Sequence, residues 1–170
     1  MDRFGPFYVQ NDSTVVMNGD MGSRIKIQFD KLIDKYPQIK LIKMGECPGS
    51  RDDETMFEAA IKLKELNINT HLLPNAEIQS GAVDFYLAGT KRTKEQGSKI
   101  GVHAWSEGNT SASEYPIGHE EHDVYINFYK NIGRTQEDAD SLYYFIINAA
   151  PPESIYWMTQ NDITNFKITN

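Results

Sequence analysis

Residues 78–103, IQSGAVDFYLAGTKRTKEQGSKIGVH, set Ser80 at the start of a short helix of small and apolar residues. They set His103 at the end of the next apolar strand. A serine hydroxyl becomes a nucleophile only when a base takes its proton, and histidine is the usual base near neutral pH. Upstream, Cys47-Pro48-Gly49-Ser50 reads as a turn between a strand and a helix, a source of backbone N–H groups for an oxyanion. Together the three segments spell acyl transfer by a serine nucleophile. The competing account of Ser80 is a helix N-cap, a role serine fills well.

Other chemistry is less well supported. Cys47 is the single cysteine, so no internal disulfide forms, and beside Pro48 it reads as a small buried apolar residue. His119 and His122, with Glu120, Glu121 and Asp123, lack the i, i+4 histidine pair of a metalloprotease helix. They read as a solvated helix start whose acids face the positive end of the helix. His71 reads as a strand residue without a special role. The tyrosines Tyr125, Tyr129, Tyr143, Tyr144 and Tyr156 suit core packing and a subunit interface better than a ligand groove. No metal or cofactor is expected.

These residues need elements to hold them. Thr14–Met17 reads as a strand. A helix with Ile25, Phe29, Leu32 and Ile33 on one face follows, ending at Pro37. Residues 39–44 form the second strand. Asp52 or Asp53 caps a helix striped by Met56, Phe57, Ala60, Ile61 and Leu63. Thr70–Leu73 is the third strand, Ser80–Ala88 a helix stopped by Gly89, and Lys99–Ala104 the fourth strand. Residues 1–12 read as loop and 105–118 as a polar loop. Helices follow over 120–131 and 136–149, Pro151-Pro152 break the chain, and a short helix starts near Asn161. Alternating strands and helices predict one α/β domain over 1–170, with a mostly parallel sheet and a helical C-terminal region, 120–168.

The bulk numbers agree with a folded domain. Hydrophobic residues make up 39% of 170 residues, enough for one full core. A net charge of −7 argues against a nucleic-acid binder, and no apolar run is long enough to span a bilayer. The opening MDRFGPFYVQND lacks the apolar core of a signal peptide. The expected compartment is the cytoplasm as the chain is written, or the periplasm where a leader has been removed.

The order of these motifs resembles the ClpP/crotonase superfamily, and within it the ClpP-like serine proteases and their bacterial relatives. The resemblance covers roughly residues 13–168. Gly19-Asp20-Met21 matches the family's glycine-hydrophobic turn. Cys47-Pro48-Gly49-Ser50 stands where the family has Ser-Pro-Gly-Gly. Ser80 to Ala88-Gly89 keeps the nucleophile helix, Lys91-Arg92 the basic pair, and Ile100-Gly101-Val102-His103 the strand ending in histidine. The resemblance implies the ClpP/crotonase-like fold of repeated ββα units. It implies Ser80 as nucleophile, His103 as base, and an oxyanion hole from Gly81 and the Gly49-Ser50 turn. It implies a peptide or small acyl substrate, and self-association, as a dimer or trimer, through residues 120–149.

The chain departs from the pattern at four places. Ser50 replaces the second glycine of Pro-Gly-Gly, and serine resists backbone angles that glycine accepts. Gln79 precedes Ser80 where a small residue is usual. Asp84 falls within an apolar helix, and a buried carboxylate needs a partner. Pro151 stands where the family's histidine-orienting aspartate belongs. Glu153, Asp123 and Asp162 are substitutes, with Glu153 favoured because it follows the helix break; a Ser–His dyad stands equally open. Two rival functions remain: a catalytically silent peptide- or protein-binding domain, and a crotonase-type acyl-CoA enzyme.

Overall fold

Thr14, Val15 and Met17 are buried on a strand whose neighbours on both sides are strands, and the fold grows outward from it. The computed structural model describes residues 2–170. They pack as two units, one reaching to Ile100 and taking in Ile168–Asn170, the other Gly101–Lys167.

In the first unit β1 (Arg3–Phe4), β2 (Phe7–Asn11) and β3 (Thr14–Met17) form an antiparallel meander. The expected N-terminal loop is therefore a hairpin. Gly5, at φ 58°, and Pro6 make its two-residue turn, and Phe7 and Val9 alternate into the core. From β3 the sheet turns parallel. Helix α1 (Ile25–Lys35) carries the chain to β4 (Leu41–Cys47), and α2 (Asp53–Glu65) carries it to β5 (Asn69–Gln79). A parallel pair needs such a crossover. Asp52 caps α2 by accepting from the Thr55 amide. Phe7, Phe29 and Phe85 meet at ring distances of 5.7–6.3 Å, joining β2, α1 and the helix after β5.

β5 runs past Leu73, where the expected third strand ends, and on to Gln79. Met44 pairs with Leu72 and Glu46 with Glu77, so an irregularity in the ladder sets residues 73–76 of β5 against Gly45 alone, with Asn75 at φ 59°. The extension delivers Gln79 to the mouth of the sheet. Helix α3 (Gly81–Leu87) follows, every residue buried. Gly89 then ends it by close approach rather than by a left-handed turn. A Cβ there would sit 2.1 Å from Thr70 Oγ1 and 2.9 Å from the Thr70 backbone nitrogen. Thr70 Oγ1 is itself held by Tyr86 O at 2.8 Å. Gly89→Ala is expected to cost about 1–3 kcal/mol, read as a lowered midpoint in thermal denaturation; an unchanged midpoint would refute the packing account.

β6 (Arg92–Lys94) pairs with β5, and His71 ties the two: its ring nitrogens lie 2.6 Å from Thr93 Oγ1 and 2.9 Å from Glu95 Oε2. His71 is thus a cross-strand tie, not a bystander. Arg92, half of the basic pair, holds the chain end through Ile168 O at 2.7 Å and also bonds Gly89 O.

Asp30 clamps α1 to α2, 2.7 Å from Lys26 Nζ and 2.6 Å from Lys62 Nζ. Burial pushes its pKa up, but the hydrogen bonds from the two ammonium groups outweigh that and hold it below the ordinary 3.8. A depressed folded pKa means the clamp stabilises fully above the unfolded value and is lost as pH falls through the folded one. In Asp30→Asn the melting temperature should fall less steeply below about pH 4. Parallel acid titrations of wild type and variant would sink that expectation.

β7 (Lys99–Val102) begins at the end of the first unit. In the second unit its residues Gly101 and Val102 pair antiparallel with β10 (Tyr156–Trp157). The expected polar loop contains a two-stranded ribbon, β8 (Ser106–Glu107) and β9 (Thr110–Ser111). Helices α4 (Asp123–Asn131), α5 (Gln136–Ala149) and α6 (Gln160–Asn165) fall where periodicity places them. His122 departs from expectation. It is fully buried, with Nδ1 2.6 Å from Tyr143 Oη and Nε2 3.2 Å from Tyr115 O. Trp105, Tyr115, Tyr125, Tyr143 and Tyr144 build the aromatic cluster around it.

Candidate active site

Ser80 is the joint between β5 and α3. Its backbone lies at φ 55°, ψ −125°, a region L-residues avoid at a cost of about 1–3 kcal/mol. The strand before it and the buried helix after it hold it there. Its hydroxyl makes no capping hydrogen bond to α3, so the N-cap account fails. The sharp turn instead resembles the strained strand-to-helix elbow on which nucleophiles are displayed.

The Gly49-Ser50 turn packs directly on this joint. A Cβ on Gly49 would lie 3.4 Å from Ser80 Cβ and 3.9 Å from Ser80 Oγ. Gly49 has φ 148°, while Ser50 is not among the residues of positive φ. The demand for glycine thus falls on 49, and serine at 50 is unstrained. Met21 N donates to Gly49 O, and Arg51 N to Met21 O, both at 2.9 Å. This bridge uses groups of residues 49 and 51. In extended backbone the Ser50 N–H then faces away from that bridge, and Ser50 N lies close to Gly81: a Cβ on Gly81 would lie 3.2 Å from it. The Gly81 amide opens α3, where first-turn N–H groups lack helical acceptors. The amides of Ser50 and Gly81 are the two candidate oxyanion donors beside this joint.

Because a Gly81 Cβ would also press to 2.6 Å from Ser50 Cβ, Gly81→Ala should displace the Ser50 amide. If the two amides hold an oxyanion, the expected loss is about 100- to 1,000-fold in turnover, with kcat falling more than KM rises. A fall confined to KM would argue against an oxyanion role.

His103 follows β7 and is half-buried. Its Nδ1 lies 2.7 Å from Ala104 O. A carbonyl only accepts, so Nδ1 carries a proton, and in the neutral ring the lone pair then falls on Nε2, the tautomer a general base requires. Ala104 N donates to Ala150 O at 2.9 Å, pinning this turn. The three candidate acids have these surroundings. Glu153 is exposed in the turn closed by Ser154 N and Pro151 O. Asp123 is exposed at the start of α4. Asp162 accepts from Tyr156 Oη at 2.6 Å and Thr159 N at 2.9 Å, fixing α6. Cys47 is buried with its thiol pushed up to about 12 by desolvation, the state of an inert cysteine. Asp84 is buried within α3.

No family model matches the sequence, and no curated protein matches it. Solved structures do. A 1510-N membrane protease specific for a stomatin homolog, from Pyrococcus horikoshii, aligns with a TM-score of 0.56 at 15% identity, over 93% of this chain and 70% of that one. A peptidase from Plasmodium falciparum aligns at 0.53 and 10% identity, over 92% and 93%. The chain has the ClpP/crotonase fold. A probable enoyl-CoA hydratase/isomerase from Mycobacterium abscessus aligns equally well, at 0.55 and 8% identity, over 96% of this chain and 66% of that one. The ClpP/crotonase fold therefore hosts peptidases and acyl-CoA enzymes alike, and the choice between them rests on residues.

Sequence reasoning missed the Ala104 carbonyl and the strain at Ser80. No residue-type pattern encodes either, because both are backbone geometry.

Proposed function

We propose that this chain is a serine hydrolase, a peptidase, with Ser80 as nucleophile and His103 as general base. Ser80 Oγ attacks the acyl carbon while His103 Nε2 takes its proton. The carbonyl electrons move onto an oxyanion held by the Ser50 and Gly81 amides. As the oxyanion collapses the acyl–nitrogen bond breaks and His103 returns the proton to the leaving amine. Water, deprotonated by His103, then releases the acyl group and restores Ser80. The Ala104 carbonyl takes over the orienting role of the missing aspartate, holding the tautomer without a full negative charge. No metal or cofactor enters these steps.

The observation that carries this reading is the strained backbone of Ser80 with its hydroxyl left uncommitted to α3. Neither rival reading accounts for it. A silent binding domain gains nothing from the strain, and an acyl-CoA enzyme of the crotonase type needs the paired amides but no hydroxyl between them. Proteases among the fold neighbours make a peptide bond the favoured substrate. Labelling by a fluorophosphonate probe tests the reading: an adduct on Ser80 supports it, and a folded protein that stays unlabelled points to the binding domain.

Self-association as a dimer or trimer through 120–149 is part of the proposal. On α4 Val124 stands 57% exposed, an apolar side chain a second copy could cover. Light scattering at micromolar concentration that reports a monomer removes it.

A further inference from the structure

Beside the oxyanion turn the first unit contains a cavity of about 610 Å³, within the range of small-ligand sites. Its walls include Arg3, Arg24 and Arg51, with Asp20, Asn18 and Gln28. Arg51 follows Ser50 in the chain, so cavity and oxyanion turn share a wall. Arg51 Nε lies 3.1 Å from Asp20 Oδ2. Arg3 is anchored by Nε to Gly5 O at 2.8 Å, with its guanidinium over the Tyr8 ring. Its two terminal amino groups are left to reach a ligand. Arg24 is exposed at the start of α1, makes no capping bond, and the first turn of α1 holds no acid. Asn18 Oδ1 accepts from Glu46 N, leaving its NH2 group to donate.

Three arginines and one aspartate thus line one cavity, on a chain whose net charge is −7. An anion entering this hollow relieves the mutual repulsion of the arginines and finds planar donors that match a carboxylate two bonds at a time. We propose that the cavity is a substrate subsite for a carboxylate, carried by an Asp or Glu side chain or by the end of a peptide. The inference rests on the hydrolase reading of Ser80 and names its substrate class: acidic peptides.

The probes are fluorescein-labelled alanine hexapeptides, measured by fluorescence anisotropy against the Ser80→Ala protein so that nothing is cleaved. One set is amidated and carries Glu or Gln at each position in turn; another is all-alanine with a free C-terminal carboxylate. A charged peptide should bind about tenfold or more tightly than its neutral counterpart. Preference for the Glu amides identifies a side chain as the source, and preference for the free acid identifies the chain end. The preference should collapse in Arg24→Ala and Arg3→Ala, and shrink as salt screens it. Both side chains are exposed, and matched melting curves establish that the variants fold.

Equal or undetectable binding of charged and neutral peptides overturns the proposal. So does a preference that survives loss of both arginines, or binding of coenzyme A alone. Fluorophosphonate labelling of the wild-type protein reports separately on Ser80. A labelled protein without charge preference sinks the subsite alone, and charge preference in an unlabelled protein sinks the hydrolase reading alone.

Discussion

Ser80→Gly is expected to stop turnover and raise the melting temperature in one substitution. Without the hydroxyl no acyl-enzyme forms, and hydrolysis should fall by about 10⁴-fold or more. Glycine adopts φ 55° without the penalty that serine suffers there. Relief of about 1 kcal/mol raises the midpoint by about 2–4 °C in a chain of this size. Glycine also loosens the unfolded chain, which offsets part of the gain. Ser80→Ala separates the effects: the same loss of turnover, with the strain kept. The paired readout is peptide hydrolysis and calorimetry on all three proteins. If Ser80→Gly melts well below Ser80→Ala, the strained backbone is not the burden described above. If Ser80→Ala retains hydrolysis, Ser80 is not the nucleophile.

His103→Ala should lower turnover by about 10²- to 10⁴-fold, the usual share of general-base catalysis, with little change in KM. The prediction turns on Nε2, because Nδ1 is committed to Ala104 O. His103→Asn keeps a donor for that carbonyl but offers no base at the Nε2 position, so it should be as slow as His103→Ala. Glu153→Gln is the companion test. With Ala104 O already orienting the ring, loss of the Glu153 charge should leave kcat within about threefold. A fall of 100-fold or more would make Glu153 the third member of the site. Fast hydrolysis by His103→Asn would remove His103 from the chemistry.

The strand and helix pattern was legible because it is local. Ile25, Phe29 and Leu32 recur at the helical period and are all buried; Asp52 sits before its helix and caps it. The order Gly49, Ser80, His103 was legible for a related reason: each falls at the end of an element, where Pro, Gly and small residues punctuate the chain. Three regions resisted such reading. The third strand ended at Leu73 on paper, yet pairing with β4 carries β5 past Pro74 to Gln79 through an irregular stretch. The N-terminal segment looked like loop because its Gly5-Pro6 turn joins a two-residue strand to a five-residue one. His122 looked solvated among acids, yet packing with Tyr143 and Tyr115 buries it.

The residue sequence by itself determined the alternation of strands and helices, the punctuation between them, and which side chains stand at the ends of the elements. Periodicity and capping act over a few neighbours, so one chain read in order contains them. Tertiary structure decided the rest. Only the packing of the 49–50 turn on α3 shows that glycine is required at 49 and that serine is tolerated at 50. Only the seating of α3 against β5 holds Ser80 at an angle it would not choose. Only the fold brings Arg3, Arg24 and Arg51 around one cavity. Such features depend on residues far apart in the chain meeting in space, and no local preference of those residues foretells the meeting.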